Sequence, residues 1–266
     1  NIIQNGKIYI TSDYSTGDVI KISNNIMTLD ESYQSSDPMI DSYPTAINTH
    51  MYQQSSDVMT IVTDNEIRGP FGYGISVNGY SGGASHSSAT IERNTIDRIY
   101  YRGISVYSLS NIIIKNNNIN RSGFESCWKC NQNSYSGIYI STNNSTNIDM
   151  VSNVIDSSGS WGIYASQTVG IIDSNVVTNS GYGGIYLSGS FNYPSLDSIR
   201  YNTITESYHS SGSGIYNTGY SRPVINYNDL YENAGYDLYN NTLISVYDEL
   251  DAKYNYWGSA TTTYEM

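Results

Sequence analysis

A recurring asparagine constrains the fold of this chain more than any other feature of its sequence. The pattern is an aliphatic residue, two other residues, Asn, one more residue and a second aliphatic residue. Seven copies are clear, centred on Asn65, Asn94, Asn117, Asn153, Asn175, Asn202 and Asn228. Weaker copies surround Asn25 and Asn255. Internal repeats of about 20–50 residues are typical of solenoid proteins.

A second element keeps the same phase as the asparagines. Gly-Ile pairs begin at Gly74, Gly103, Gly137, Gly162, Gly184 and Gly214, and Asp237-Leu238 is a degenerate copy. The pair follows its Asn by nine residues after Asn65, Asn94, Asn153 and Asn175, and Asp237 follows Asn228 by nine. This constant lag indicates one structural unit per repeat.

The apolar runs of each repeat predict short β-strands, because they are too short for helices and rich in Ile and Val. One coil cannot bury its own apolar side, whereas coils stacked ~4.8 Å apart pair their strands and share a core. We therefore predict an all-β parallel β-helix of about nine coils. Asn is expected in the turn, because it tolerates left-handed backbone geometry. The stacked amides are expected to form an internal ladder.

The predicted boundaries describe a single domain over residues 1–266. Residues 1–24 form the first coil or the N-terminal edge, residues 121–136 form an insertion and residues 258–266 form a C-terminal tail. Monomeric β-helices usually cover the strand edges at their ends. No amphipathic helix is recognisable in residues 1–24, so open edges and self-association are expected.

The repeats resemble those of right-handed parallel β-helix proteins of the pectate-lyase-like superfold. The motifs N-x-I and G-I-Y and the segment Asn255-Tyr256-Trp257-Gly258 carry the resemblance, which covers roughly residues 20 to 258. This superfold includes polysaccharide lyases, hydrolases, phage tailspikes and surface proteins, so the resemblance implies a fold rather than an activity. The Tyr-, Asn- and Ser-rich composition is similar to that of surface and sheath proteins of methanogenic archaea.

Composition and charge exclude several partners. The net charge is −12 with only 12 Lys and Arg, so nucleic acid, which is bound mainly through cationic side chains, is a poor partner. No apolar run is long enough to span a bilayer, the longest being Ile112-Ile113-Ile114. The scarcity of Lys and a chain that begins at Asn1 favour an exported protein, extracellular or at the cell surface, that has lost its targeting segment.

Catalytic residues are not evident. The densest charge cluster contains Glu92, Arg93, Asp97, Arg98 and Arg102. It is interpreted either as salt bridges between coils or, together with Arg68, as the site of a polysaccharide lyase or hydrolase. His50, His86 and His209 share no phase with the repeat, and no metal site and no cofactor are expected.

Tyrosine is unusually frequent, with 28 residues against three Phe. Tyr follows Gly-Ile at Tyr139, Tyr164, Tyr186 and Tyr216, and Tyr239 has the same phase. Since strand side chains alternate between faces, these rings are expected to point outward in one strip. The strip could fill the surface by stacking, support sugar rings or contact another copy of the chain. Replacing Tyr164 and Tyr186 by Ser is expected to leave the fold intact.

Two further motifs lie outside the repeat pattern. Cys127 and Cys130 fall in the predicted insertion and could form a local disulfide or link neighbouring molecules, with reduced thiols or a metal as the remaining alternative. The sequons at Asn120, Asn143, Asn144 and Asn240 are predicted to lie in turns or insertions and are candidate glycosylation sites.

The sequence as a whole favours a self-assembling, non-enzymatic protein of a cell-surface layer or sheath, which associates through open β-helix edges and the tyrosine strip. The expected partner is a second copy of the chain, with polysaccharide as a further possibility. The alternatives are a secreted polysaccharide lyase or hydrolase, and a carbohydrate-binding or tailspike-like adhesin.

Overall fold

The computed structural model describes residues 1–12, 17–30, 44–51, 57–79, 87–123, 135–243 and 249–258. Within these residues the chain contains β-strands and no helix, and all of the strand pairs are parallel. The chain winds as a parallel β-helix, so the predicted fold class is confirmed.

A sheet of nine short strands forms one side of the described solenoid, and we call it the short-strand sheet. In chain order its strands are β1 (Ile2–Gln4), β4 (Ile26–Thr28), β7 (Glu66–Arg68), β10 (Thr95–Ile99), β13 (Asn118–Ser122), β15 (Val154–Asp156), β17 (Val176–Thr178), β20 (Thr203–Thr205) and β23 (Asp229–Tyr231). Each strand pairs with the equivalent strand of the next coil.

The fifteen remaining described strands form a single sheet that covers two faces. The Gly-Ile face contains β2 (Ile8–Ser12), β5 (Ile47–Met51), β8 (Tyr73–Asn78), β11 (Arg102–Tyr107), β18 (Gly183–Gly189), β21 (Ser213–Gly219) and β24 (Tyr236–Thr242). The pre-Asn face contains β3 (Val19–Ser23), β6 (Met59–Thr63), β9 (Ser88–Glu92), β12 (Asn111–Lys115), β19 (Leu196–Arg200) and β22 (Val224–Asn226). Two long strands, β14 (Ile138–Val151) and β16 (Trp161–Asp173), continue from the first face to the second.

The register aligns equivalent residues of successive repeats and builds one core. On the Gly-Ile face the isoleucines of the Gly-Ile pairs lie directly beneath one another, and Leu238 ends their column. The column isoleucines from Ile75 to Ile215 have no exposed surface. Apolar side chains of all three faces join them in one continuous cluster. Burial of apolar surface therefore fixes the register, because a slip of one residue would turn these side chains outward.

The glycine of each pair lets neighbouring elements approach closely. A Cβ on Gly103 would lie 2.5 Å from Cγ2 of Ile119 and 2.7 Å from the carbonyl oxygen of Gly137. Both distances are shorter than any ordinary carbon contact, so the position excludes every other residue. The close approach lets the Gly-Ile face pack against the short-strand sheet.

The turn before each strand of the short-strand sheet differs from the expected turn in which residue takes the left-handed conformation. The left-handed residue is the one before each repeat asparagine, not the asparagine itself. These preceding residues all have φ between 54 and 60° and are Asn24, Asp64, Arg93, Asn116, Ser152, Ser174, Tyr201, Tyr227 and Tyr254. The preceding residue makes the corner, and the asparagine can then turn its amide into the interior.

Candidate interaction surface: two tyrosine columns

The repeat asparagines lie in one column, buried except at its last member Asn255, and we call it the asparagine ladder. Its members are Asn25, Asn65, Asn94, Asn117, Asn153, Asn175, Asn202, Asn228 and Asn255. Each amide oxygen from Asn65 onward accepts hydrogen bonds of 2.9–3.1 Å from both the backbone N–H and the side-chain amide of the preceding member. Because both groups are occupied within the protein, the ladder holds coils together rather than binding a ligand.

The five tyrosines that follow the Gly-Ile pairs also form a column, which we call the face column: Tyr139, Tyr164, Tyr186, Tyr216 and Tyr239. Successive ring centroids lie 4.6, 4.6, 5.5 and 5.0 Å apart, and all four pairs are stacked. Tyr107 extends the column at 5.5 Å from Tyr139. The rings are therefore continuous over several coils.

The face column is more deeply covered than the exposed strip that the sequence suggests. Tyr164 keeps 9% of its surface exposed, and the other four rings are partly buried. Trp161 packs against Tyr186 and Tyr216, with centroids 5.1 and 5.7 Å away. The Arg102 guanidinium lies 3.4 Å from the centre of the Tyr139 ring. Burial raises the pKa of the Tyr164 phenol, and its tyrosine neighbours raise it further.

The burial of Tyr164 reverses the expected outcome of its substitution. We expect Tyr164→Ser to lower the free energy of unfolding by about 3 kcal/mol, since it removes a buried ring stacked on both sides. Urea unfolding followed by fluorescence measures this loss. Tyr236→Ser is the control, because Tyr236 is 60% exposed and its loss should cost less than about 1 kcal/mol. Equal stabilities of the two variants would contradict the buried column.

A second column was missed by the sequence reasoning. Tyr201, Tyr227 and Tyr254 stack with ring centroids 5.5 and 5.1 Å apart and planes inclined by 19 and 11°. Their exposed fractions are 57, 49 and 72%. We call this set the corner column, because its members are the left-handed residues before Asn202, Asn228 and Asn255. The sequence signal that could have predicted this column is the dipeptide Tyr-Asn, which occurs in each of the last three repeats.

The backbone of the corner column is strained. A left-handed conformation is rare for a bulky residue and costs an ordinary L-residue roughly 1–2 kcal/mol. Earlier coils place Asn24 and Asn116 in the same position, and Asn tolerates this conformation more readily. Three successive exposed tyrosines therefore occupy a position in which asparagine would be less strained.

Because the tyrosine rings of both columns are stacked, only some parts of each ring are accessible to a partner. In both columns each inner ring covers the faces of its neighbours, so edges and hydroxyl groups are presented outward. A sugar ring packs on an aromatic face, and this face is covered along most of each column. The two columns are therefore better suited to edge contacts with another protein surface than to a row of sugar rings.

The charged cluster does not form one site. Arg68 and Asp97 are neighbours on adjacent strands of the short-strand sheet, and Arg98 lies within the same strand as Asp97, with a left-handed backbone. Arg102 begins β11 on the Gly-Ile face, buried against Tyr139. The grouping of Arg68, Asp97, Arg98 and Arg102 proposed for a lyase or hydrolase is thus divided between two faces.

Several charged residues instead link successive coils. Arg93 donates to both carboxylate oxygens of Asp64 at 2.7 and 3.0 Å, and this contact lowers the pKa of Asp64. Arg200 donates to Asp173 at 2.6 Å. Arg121 donates through Nε to Asp97 at 2.9 Å. The arginines of these pairs are half-exposed, so each pair contributes little to stability. The pairs correspond to the inter-coil salt bridges that the sequence suggested.

The sequons lie in strands rather than in turns or insertions. Asn120 is in β13 and donates a hydrogen bond to Asp97 at 3.1 Å. Asn143 and Asn144 fall within β14, where its register with β16 shifts between Ser141 and Thr146. Asn240 is in β24 and accepts a bond from Asn217 at 2.8 Å. Glycosylation of these residues stays a prediction.

The two histidines that the structure describes lie in different coils. His50 lies in β5, and His209 stacks on Tyr182 with centroids 4.5 Å apart. Cys127, Cys130 and His86 lie outside the described residues. Within the described part of the chain, no group of three His, Cys, Asp or Glu residues could hold a metal ion. No helix in that part is suitable for crossing a membrane.

Comparison with known proteins supports the fold alone. Residues 136–248 match the family model described as right handed beta helix region. No curated protein and no solved structure matches the chain. The family match and the parallel pairing of the described strands identify a right-handed parallel β-helix.

Proposed function

We propose that this right-handed parallel β-helix is a self-associating structural protein of a cell-surface layer or sheath, in which copies pack side by side through the corner column. The observation that carries this proposal is the set of three strained, stacked and exposed tyrosines, Tyr201, Tyr227 and Tyr254. Exposed aromatic area of this kind often marks a protein contact. Buried tyrosines frequently supply much of the binding energy at such contacts.

The rest of the molecule supports a structural role. The asparagine ladder and the stacked isoleucines hold the described coils in one register, which gives a stiff element. Four of the described ion pairs, Arg93–Asp64, Lys115–Asp149, Arg121–Asp97 and Arg200–Asp173, link successive coils. A stiff element with a repeating lateral surface is suited to assembly.

Net charge sets the conditions in which association is expected. Copies that each carry a charge of −12 repel one another at low ionic strength. Salt screens this repulsion, since the Debye length falls from about 30 Å at 0.01 M to about 10 Å at 0.1 M. Contacts between aromatic edges are not weakened in the same way, so association should increase with salt.

The test replaces Tyr201, Tyr227 and Tyr254 together by Asn. Light scattering and electron microscopy at equal protein concentration and about 0.1 M salt should show assemblies for the natural chain and much smaller particles for the variant. The variant should be at least as stable as the natural chain, because Asn relieves the left-handed strain. Axial growth through strand edges, the other route expected from sequence, would persist as thin filaments in the same images.

A matched control separates the rings from the turn. Ser152 and Ser174 occupy the same left-handed position in earlier coils, so the double substitution Ser152→Asn and Ser174→Asn changes the turn without removing a ring. It should assemble like the natural chain. A natural chain that remains monomeric at high concentration and at every ionic strength would overturn the proposal.

A further inference from the structure

The outer surface of the Gly-Ile face carries a column of short side chains beside the face column, and we call it the groove column. Its members lie two residues after the face-column tyrosines on the same strands: Ser141, Ser166, Ser188, Thr218 and Asn241. They point outward with the tyrosines, because side chains two residues apart on a strand share a face. All five are at least partly exposed. Since their side chains are shorter than tyrosine, a groove runs along the solenoid beside the rings.

Aromatic rings also border this groove on its other side in two coils. Phe191 follows shortly after β18, and Tyr220 follows β21 directly. Their rings contact each other edge to face with centroids 5.5 Å apart, and Phe191 keeps 78% of its surface exposed. At the level of Ser188 and Thr218 the groove is therefore lined with short polar side chains between two aromatic walls.

The groove differs from the other two faces in its charge. The face column and the groove column contain only Tyr, Ser, Thr and Asn. The short-strand sheet presents Glu66 and Arg68 outward, and the pre-Asn face presents Lys115 and Asp149. Burying charges at a contact is costly unless each is well paired. The groove is thus a surface against which a copy of the chain can pack without burying a charge.

The corner column has the repeat needed to fill this groove. Its rings are 5.5 and 5.1 Å apart. The face-column rings of the same coils, Tyr186, Tyr216 and Tyr239, are 5.5 and 5.0 Å apart. A neighbouring copy that is displaced sideways with its axis parallel therefore places one corner ring against each of three coils. Two corner columns pressed together would bury only ring edges, because both are convex.

From these observations we propose that the corner column of one copy packs into the groove of the next copy. The inference rests on the proposed self-association and identifies the surface that receives the corner column. The corner lies where the pre-Asn face meets the short-strand sheet, so the corner column and the groove are on different sides of one copy. A contact between unlike surfaces leaves one of each free on every pair. Repetition then gives an open lateral array in which all copies have the same orientation.

The first test blocks the groove with charge. Ser188→Lys together with Thr218→Lys places two ammonium groups between the aromatic walls. Both residues point outward and are partly exposed, so the fold should be retained, which circular dichroism checks. The change makes the net charge less negative than −12, so repulsion between copies cannot explain a loss of association. The protein concentration at which laterally associated particles appear should rise about tenfold or more.

A matched control adds the same charge to another face. Thr95→Lys together with Asn118→Lys changes two exposed, paired neighbours on the short-strand sheet. This variant should associate at least as readily as the natural chain, because the groove and the corner column are both intact.

A mixing experiment tests whether the two surfaces are partners. The triple Asn variant of the corner column keeps its groove, and the groove variant keeps its corner column. Electron micrographs of either variant alone should show particles one solenoid wide. An equimolar mixture should give particles two solenoids wide and no wider, since only one contact between the two variants is possible.

The outcomes separate this inference from the proposed function. A groove variant that associates like the natural chain, or a mixture whose particles remain one solenoid wide, would overturn the groove as the receiving surface. Self-association through the corner column would still stand in both cases. Natural-chain particles that are one solenoid wide at every ionic strength would overturn both proposals.

Discussion

Replacing Asn175 by Leu should be among the most damaging single substitutions in this chain. The change removes the oxygen that accepts from the backbone N–H of Asn153 at 3.0 Å and from its side-chain amide at 2.9 Å. It also removes the donor to the carbonyl oxygen of Met150 and to the side chain of Asn202. Asn153 and Asn175 have no exposed surface, so water cannot replace the lost partners. Two orphan buried donors at about 1–3 kcal/mol each give an expected loss of roughly 2–6 kcal/mol.

The measurement is urea unfolding, with hydrogen exchange of the amides around Asn153 as a local readout. Asn118→Leu makes the same chemical change at an exposed position of β13 and should alter stability by less than about 0.5 kcal/mol. A variant at Asn175 as stable as the control would contradict the ladder. Leucine has about the right volume, so a large loss would report hydrogen bonding rather than a cavity.

The periodic part of the fold could be predicted from the sequence, because stacking places equivalent residues of successive repeats next to one another. Ile138 and Ile163 share a phase in the sequence and are paired in the structure. The same reasoning brings Asn153 and Asn175 together. A residue's position along the column follows from its spacing alone, without knowledge of any long-range contact.

The exposure of the tyrosines could not be predicted in this way. Alternation along the strand gives the outward direction of Tyr164 but not what covers it. Its stacked neighbours Tyr139 and Tyr186 do so. Elsewhere in the column, residues from other positions of the repeat add cover: Trp161 packs against Tyr186 and Tyr216, and Arg102 lies over Tyr139. The left-handed corner was misassigned for a related reason. Asparagine is the usual residue for that conformation, but here its buried amide was needed inside the solenoid.

Asp197 shows the limit of sequence reasoning most clearly. It occupies an inward position of β19, opposite Gly170 of the preceding coil, and is 1% exposed. Thr168 donates a hydrogen bond of 2.8 Å to one carboxyl oxygen, and the other has no partner among the described residues. Its neighbours in sequence, Leu196 and Ser198, give no sign of this burial. Desolvation raises the pKa of this carboxyl from 3.8 to about 7, and the Thr168 bond only partly opposes the rise.

Asp197 should therefore make the stability of the chain depend on pH in a defined direction. Between about pH 4 and 7 the folded chain keeps a proton on Asp197 that the unfolded chain has lost. The stability that this protonated acid contributes is complete below about pH 4 and is lost as the pH rises through 7, a difference of about 4 kcal/mol. Asp197→Asn keeps an oxygen that accepts from Thr168 but has no ionisable group. The variant should therefore be as stable as the natural chain near pH 4 and more stable than it by about 4 kcal/mol at pH 8.

Urea unfolding at a series of pH values measures the stability of both chains. Asp229→Asn changes an exposed residue of β23 and should show the same dependence of stability on pH as the natural chain. If Asp197→Asn and the natural chain lose stability in parallel between pH 4 and 8, the buried carboxyl does not control this dependence.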